Sequence, residues 1–529
     1  MHKIVNASSG NTMRTERQNF ISKWMKVMFV VFLIPFLFLI NLNAQKVAII
    51  DLDSTHQMIR GFGAANILPW RPDMTDAEIE TAFGTEDGQL GFTILRLMIE
   101  PTKNNWSLNV RTAKKAHDMG VLIFASPWNA PADMLETVNG LKKVRYDRYQ
   151  DYADHLNDFN TFMEDNGVPL YAVSVQNEPD YGDWTRWTSG EMLTFMRDYA
   201  SIIETRVMAP ESFQFRHGMS DPILNDSLAC ANLGIVGGHI YGGGIAPYPL
   251  AVSKGKEIWM TEYYTDSQNS GNLWPLALNV GIEIHNVITA GMNAYVWWYI
   301  VRYYGPISDG TNDSGNKGDV TKRGYIMSQY SRFIRPGYFR IQCDSYPQTS
   351  VYTSAYKDST SSKVVIVAIN YATQAKNQTF VFQNGQVEKF TSYVTSETKD
   401  CDRENDIIVS NDSLHVTLAA KSITTFVSGG DAVTVENSPS RLKSYNLYQN
   451  YPNPFNPATR INFEIPEKSF VSLKVYNLLG KEVAELAGRE YDAGTYSVRF
   501  DASRLANGIY FYTLKSRDFT STRKMMILR

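Results

Sequence analysis

The sequence predicts an α/β protein: a (β/α)8 TIM barrel with an attached β-sandwich side domain and a small C-terminal all-β sandwich. Three observations predict it. Between about Gly61 and Pro306, eight strand-like runs alternate with amphipathic helical segments. After about Arg335 the helical period fades, and short strands recur at regular spacing. Beyond a polar stretch at 429–444, a further set of strand patterns runs to the C-terminus. A chain of 529 residues is also too long for one core.

Residues 1–44 read as a signal peptide. Lys23 and Lys26 precede an apolar run from Val27 to Ile40, interrupted by Pro35 and closed by the small Ala44. That run is shorter than the ~20 residues a membrane span needs, so no stable span is expected. Residues 45–60 contain "KVAIIDLDS", a strand expected to join the side β-domain.

The barrel is expected over 61–335. Its strand-like runs are "GFGAA", "FTILRLMI", "VLIFASPW", "LYAVSVQNEP", "FQFRHGMS", "IVGGHIYG", "EIWMTEYY" and "AYVWWYI". Several are apolar at consecutive positions, as strands covered on both faces should be. Helices are expected at "YQDYADHLNDFNTFMEDNG" and "SGEMLTFMRDYASIIETRV", the second capped by Ser189 with Glu191 in its first turn. No glycine-rich phosphate fingerprint follows the first strand, which argues against an open nucleotide-binding sheet. The side domain is expected over 336–428 from "KVVIVAINYA", "QTFVFQNG", "SLHVTLAA" and "ITTFVSGG". A linker at 429–444 leads to the last module at 445–529.

Composition narrows the partners. The formal net charge of −3 offers no basic surface for nucleic acid. Cys230, Cys343 and Cys401 are far apart and odd in number, so neither a metal spacing nor a disulfide framework is expected, and no metal or organic cofactor is implied. The 10 Trp, 30 Tyr and 26 Phe suit stacking on sugar rings, although most should fill cores.

Two carboxylates carry the chemical signal. Glu178, in "LYAVSVQNEPDYGDW", is expected at the C-terminal end of the fourth barrel strand, and Glu262, in "EIWMTEYYTD", at the same end of the seventh. Barrel active sites lie at that face. Strands four and seven stand across the mouth from each other, so the two side chains can converge. A lone glutamate at a strand end is more often an ion-pair partner or a cap, so the signal is the pair. Paired carboxylates suit glycoside hydrolysis: one protonates the leaving oxygen, and the other attacks or activates water. In "WWYIVRYYG", Trp298, Arg302 and Tyr304 are expected to follow the eighth strand onto the rim, where an arginine among aromatics can fork onto a substrate carboxylate.

The ordered motifs "IRGFGAAN", "LGFTILRLMI", "FASPWNAPADML", "LYAVSVQNEPDYGDWTRWT", "GGHIYG", "IWMTEYYTDS", "NAYVWWYIVRYYGPISDG" and "TKRGYIMSQYSRFIRPGY" resemble glycoside hydrolase family 30, and within it the glucuronoxylanase subfamily, from about Val47 to Ser428. The resemblance implies a retaining endo-β-1,4-xylanase that recognises the glucuronate branch of glucuronoxylan. It implies Glu178 as general acid/base and Glu262 as nucleophile. It implies Asn177 on the sugar 2-hydroxyl or the nucleophile, Tyr241 against the nucleophile, Arg96 as a barrel-floor arginine, and Trp128 as a sugar platform. Arg302 matches the arginine that reads the branch, with Tyr264 and Ser267 as its helpers. The chain departs from the family at Val301, where an arginine is usual, and in the long loop that follows. Other activities of the same family, such as β-1,6-glucanase, glucosylceramidase-like enzyme or xylobiohydrolase, remain alternatives, as does a non-catalytic surface glycan-binding protein.

The last module is similar to a type A C-terminal sorting domain of the type IX secretion system, on "YPNPFNPATRI", "VYNLLGKEV", "GTYSVRFDASRLANGIYFYTL" and "TRKMMILR". That similarity implies the secretion machinery as a partner and a secreted or cell-surface location.

Overall fold

In the computed structural model, the barrel interior is built from alternate residues of eight parallel strands closed into a ring. The structure describes residues 46–429 except Pro69, Asp266 and Ser362, and residues 445–527 except Gln449, Tyr451, Pro452, Pro454, Asn456 and Ala493. The signal segment expected over 1–44 and the linker expected over 429–444, Gly429 apart, lie outside the described residues. The chain divides near residue 430 into two compact units.

The barrel strands, in order, are Gly61–Ala65, Ile94–Ile99, Leu122–Pro127, Ala172–Ser174, Arg206–Ser212, Leu233–His239, Glu257–Glu262 and Ala294–Tyr299. The eighth closes the ring on the first, with Ala294 opposite Gly61 and Tyr295 opposite Phe62. Successive side chains of a strand point to opposite faces, so residues two apart share one face. Ile94, Phe124, Ala172, Met208, Ile235, Trp259 and Ala294 pack together as an apolar layer inside the ring. Two residues further along, towards the C-terminal mouth, come Arg96, Ser126 and Ser174, all fully buried. The apolar layer is therefore a floor, and the polar layer above it carries the site.

Two expectations are corrected here. The fifth strand is Arg206–Ser212, not "FQFRHGMS", whose last residues instead enter the helix His217–Asn225. The helix before it is correspondingly shorter, Ser189–Asp198 instead of a run continuing to Val207. Phe213 and Phe215 alternate as a strand would, but register is decided by the neighbours: Ala172 pairs with Arg206, and Val207 with Leu233. Pro210 within that run hides the strand from pattern reading. The cap of the same helix is Thr188, one residue before Ser189. Its hydroxyl accepts the Glu191 amide N–H, and the Glu191 carboxylate accepts the Thr188 N–H, a reciprocal capping box. The helix expected at "YQDYADHLNDFNTFMEDNG" is Tyr149–Asp165.

Beside the barrel, nine strands form one sheet that curls around its own apolar core of Ile50, Ile341, Ile366, Phe380, Phe390 and Leu414. The strand Val47–Met58 belongs to this sheet. It lies antiparallel to Phe339–Cys343 and parallel to Lys376–Gln383. The C-terminal unit consists of a three-stranded and a four-stranded sheet. Its separate core includes Ile461, Phe463, Val471, Leu473, Tyr512 and Met525. No helix among the described residues is long and apolar enough to cross a membrane.

Candidate active site

The fourth strand ends at Ser174, yet the chain beyond it keeps barrel register. The Asn177 amide N–H donates to the Pro127 carbonyl at 2.9 Å, and the Glu178 amide N–H to the Glu211 carbonyl at 3.1 Å. Gln176 ties the same turn down by donating from Nε2 to the carbonyls of Trp128 at 2.9 Å and Asn177 at 3.0 Å. Glu178 and Glu211 take the left-handed backbone conformation, with φ of 46° and 56°. For residues with a side chain this costs on the order of 1–3 kcal/mol each and persists where the surroundings over-determine it. Both lie at the mouth of the barrel, where they aim carboxylates inward.

Arg96 organises the floor of the mouth. Its guanidinium donates to Glu262 Oε2, to Asn177 Oδ1 at 2.6 Å, to Glu211 Oε1 at 3.2 Å and to Ser126 Oγ at 3.3 Å. Its face also lies 4.7 Å from the Trp128 ring. Tyr241, just past the sixth strand, donates its hydroxyl to Glu262 Oε1 at 2.9 Å. Burial and the adjacent Glu262 push that phenol well above its ordinary range, so it stays a donor. Each oxygen of Glu262 thus receives a donor.

Glu178 is held differently. Its Oε1 lies 3.0 Å from His239 Nδ1, and its Oε2 accepts from Trp184 Nε1 at 3.3 Å. His239 also stands 3.8 Å from Glu211 and 3.9 Å from Glu262. Burial alone would lower the pKa of this imidazole, but Glu262, Glu178 and Glu211 outweigh it and raise it to about 9. Burial would raise Glu211, but Arg96 and then His239 outweigh that and hold it at about 2. Glu178, His239 and Glu262 each offer an atom within 4.8 Å of the others, a spacing that could hold a cation. The His239 ring stands between the two carboxyls, 3.0 Å from Glu178 Oε1 and 3.9 Å from Glu262 Oε1.

The other expected residues form two groups. Trp128 and Trp298 pack with ring centroids 5.8 Å apart, and Trp70 lies against both. Trp128 is only 2% exposed, whereas Trp70 is 41% exposed, so Trp70 presents this cluster to solvent. On the opposite flank of Glu262, Tyr264 lies edge-on to Tyr241 at 5.6 Å and stacks on Tyr304 at 5.4 Å. The Arg302 guanidinium lies over Tyr303 and Tyr304. It reaches Asp309 at 3.4 Å, an oxygen that Arg71 also contacts at 3.0 Å. The Arg302 Nε is buried without a hydrogen-bond partner. Ser267 enters through its carbonyl, which accepts the Tyr303 hydroxyl at 2.6 Å.

Sequence reasoning missed Glu211, His239, Trp70 and Trp184. His239 stands two residues before Tyr241 in "GGHIYG", a strand-end position that could have drawn attention to it. Glu211 was hidden by the misplaced fifth strand.

This geometry can be set beside known proteins. The chain is 48% identical to glucuronoxylanase XynC of Bacillus subtilis (strain 168), over 72% of this chain and 90% of that one. A family 30 endoxylanase from Clostridium papyrosolvens C71 superposes with a TM-score of 0.66 at 44% identity, covering 72% of this chain and 100% of its own. The family 30 subfamily 8 xylanase Xyn30A of Clostridium acetobutylicum does so with 0.66 at 37% identity, covering 73% and 100%.

The chain belongs to glycoside hydrolase family 30. In the second compact unit, residues 449–528 match the secretion system C-terminal sorting domain. That domain marks the hydrolase for type IX secretion to the cell surface or exterior.

Proposed function

We propose that this family 30 hydrolase is a retaining endo-β-1,4-xylanase acting on glucuronoxylan, with Glu262 as nucleophile and Glu178 as general acid/base. The observation that carries the mechanism is the convergence of the two carboxyls on one imidazole, His239 Nδ1 lying 3.0 Å from Glu178 Oε1 and 3.9 Å from Glu262 Oε1. Retaining enzymes hold the pair roughly 5 to 5.5 Å apart, whereas inverting ones leave room for a water at about 6.5 Å or more.

The charges around the pair support the division of labour. Three buried carboxyls, Glu178, Glu211 and Glu262, face two cations, Arg96 and the His239 imidazolium. Arg96 and Tyr241 both donate to Glu262, as an anionic nucleophile needs. Glu178, as the general acid, delivers a proton to the leaving oxygen as Glu262 attacks the anomeric carbon. After the sugar ester forms, Glu178 takes a proton from the incoming water. Asn177 Nδ2 is buried and lacks a protein partner, so it is free to donate to a sugar hydroxyl at this carbon.

Substrate choice rests on Arg302. Its guanidinium is partly open and lies over the Tyr303 and Tyr304 rings, where a glucuronate branch would pair with it. Glu262→Ala tests the mechanism: azide should restore turnover and give a glycosyl azide of inverted configuration. Undiminished hydrolysis without Glu262 would remove it from the reaction.

A further inference from the structure

The long loop that follows the eighth strand carries one carboxylate to which no role has yet been given. Asp309 Oδ2 is shared by two arginines, 3.0 Å from Arg71 Nη2 and 3.4 Å from Arg302 Nη1. Its Oδ1 accepts the Thr311 amide N–H at 3.1 Å and the Thr311 hydroxyl at 2.6 Å. Both oxygens are therefore engaged. The Asp309 side chain is only 9% exposed, against 29% for Arg302. The carboxylate is the fixed member of this pair, and the arginine leaning on it is the open one.

The loop is built to keep Asp309 still. The Arg302 amide N–H donates to the Ile307 carbonyl at 2.9 Å, which sets the loop in register with the arginine two residues before Asp309. Ser308, wholly buried, shares a hydrogen bond with the Ser314 hydroxyl at 2.6 Å and accepts the Gly310 amide N–H at 2.9 Å. The loop after the seventh strand pins the far side. There the Ser270 hydroxyl donates to the Asp313 carbonyl at 3.1 Å, and Asn272 Nδ2 donates to the Ser314 carbonyl at 2.8 Å. Arg71, from the loop after the first strand, holds the near side.

We propose that Asp309 is a positioning residue for substrate choice: it fixes the Arg302 guanidinium so that its open N–H groups face a uronate carboxylate. This role rests on Arg302 reading the branch. Tyr303 and Tyr304 lie under the guanidinium at 5.1 Å and 5.7 Å and set its plane, whereas Asp309 sets its rotation within that plane. The Arg71–Asp309–Arg302 bridge has a net charge of +1, which one uronate carboxylate balances. Two effects of Asp309 oppose each other. It competes with the substrate carboxylate for Arg302, and it spares the substrate the cost of ordering a long, rotor-rich side chain. Water screens the competition at this partly open rim, so the ordering wins.

A double-mutant cycle in the full-length enzyme tests this, with kcat and KM measured separately on glucuronoxylan. Asp309→Ala should raise KM on the order of tenfold and leave kcat within about twofold. Asp309→Asn keeps an acceptor for Thr311 but removes the charge that the arginines share, and it should raise KM to the same degree. With Arg302→Ala already in place, Asp309→Ala should cost nothing more, because no guanidinium is left to position. An equal loss from Asp309→Ala with and without Arg302, a loss confined to kcat, or a lower KM in either Asp309 variant would overturn the proposal. The last result would make Asp309 a competitor of the branch. If Arg302→Ala raises KM and the Asp309 variants do not, branch reading stands and the role of Asp309 falls. If Arg302→Ala itself costs nothing, branch reading fails and this role fails with it.

Discussion

Arg96 Nη2 lies 3.2 Å from Glu211 Oε1, and both side chains are wholly shut from solvent. The same guanidinium also donates to Glu262 and Asn177. In the proposed mechanism Glu211 is therefore a positioning residue that acts through Arg96. Replacing Glu211 with Gln removes one anion and leaves Arg96 partly unpaired in a buried site. The expected cost is about 3 kcal/mol of folding stability, with kcat reduced on the order of tenfold and KM little changed. Denaturant unfolding and steady-state kinetics on one preparation test both. Unchanged stability would mean that the pair contributes nothing.

His239 sets a basic limit. Its folded pKa is raised to about 9 from an ordinary 6.5, so its stabilisation is complete below 6.5 and is lost as pH rises towards 9. Glu211 works in the opposite direction. Its folded pKa is depressed to about 2 from 4.5, so its contribution is present above 4.5 and is lost as pH falls towards 2. Unfolding free energy followed through both windows should decline at each end. In His239→Asn the decline on the basic side should flatten, and a basic limb identical to wild type would show that another group titrates there.

Arg302→Ala should reduce kcat/KM on glucuronate-branched xylan on the order of a hundredfold, the scale of about 2 to 3 kcal/mol for hydrogen bonds to a charged group. Activity on xylan stripped of its branches should be low in wild type and no lower in the variant. Equal wild-type rates on the two polymers would remove branch recognition from the account.

The two compact units have separate apolar cores, one around residues such as Ile461 and Leu473 and the other around the barrel and its side sheet. A chain ending at Gly429 should keep the kcat/KM of the full protein on soluble xylan while losing export from the cell. A large loss of activity in that variant would mean that the last unit takes part in the reaction.

Much of this protein could be read along the chain. Alternation of apolar runs with helical patterns located seven of the eight barrel strands, since strands covered on both faces are continuous stretches of apolar residues. Glu178 and Glu262 stood out because each closes such a run with a charge. The fifth strand did not, because Pro210 and Glu211 interrupt it and only pairing with its neighbours makes it a strand. Trp128 read as a rim aromatic, yet whether it is open or covered depends on Trp70, 58 positions away (128 − 70) and brought over it by the barrel.

The sequence by itself determined the strand-and-helix order outside the fifth strand, the two acidic strand ends and the export module, because each is written in local periodicity or a contiguous motif. Only the tertiary structure decided the charge balance of the site. Arg96, Glu178, Glu211, His239 and Glu262 come from five different strands or strand ends, and their protonation depends on distances across the ring and on burial. Electrostatic interaction in a desolvated interior depends on separation in space, which strand closure sets and sequence separation does not.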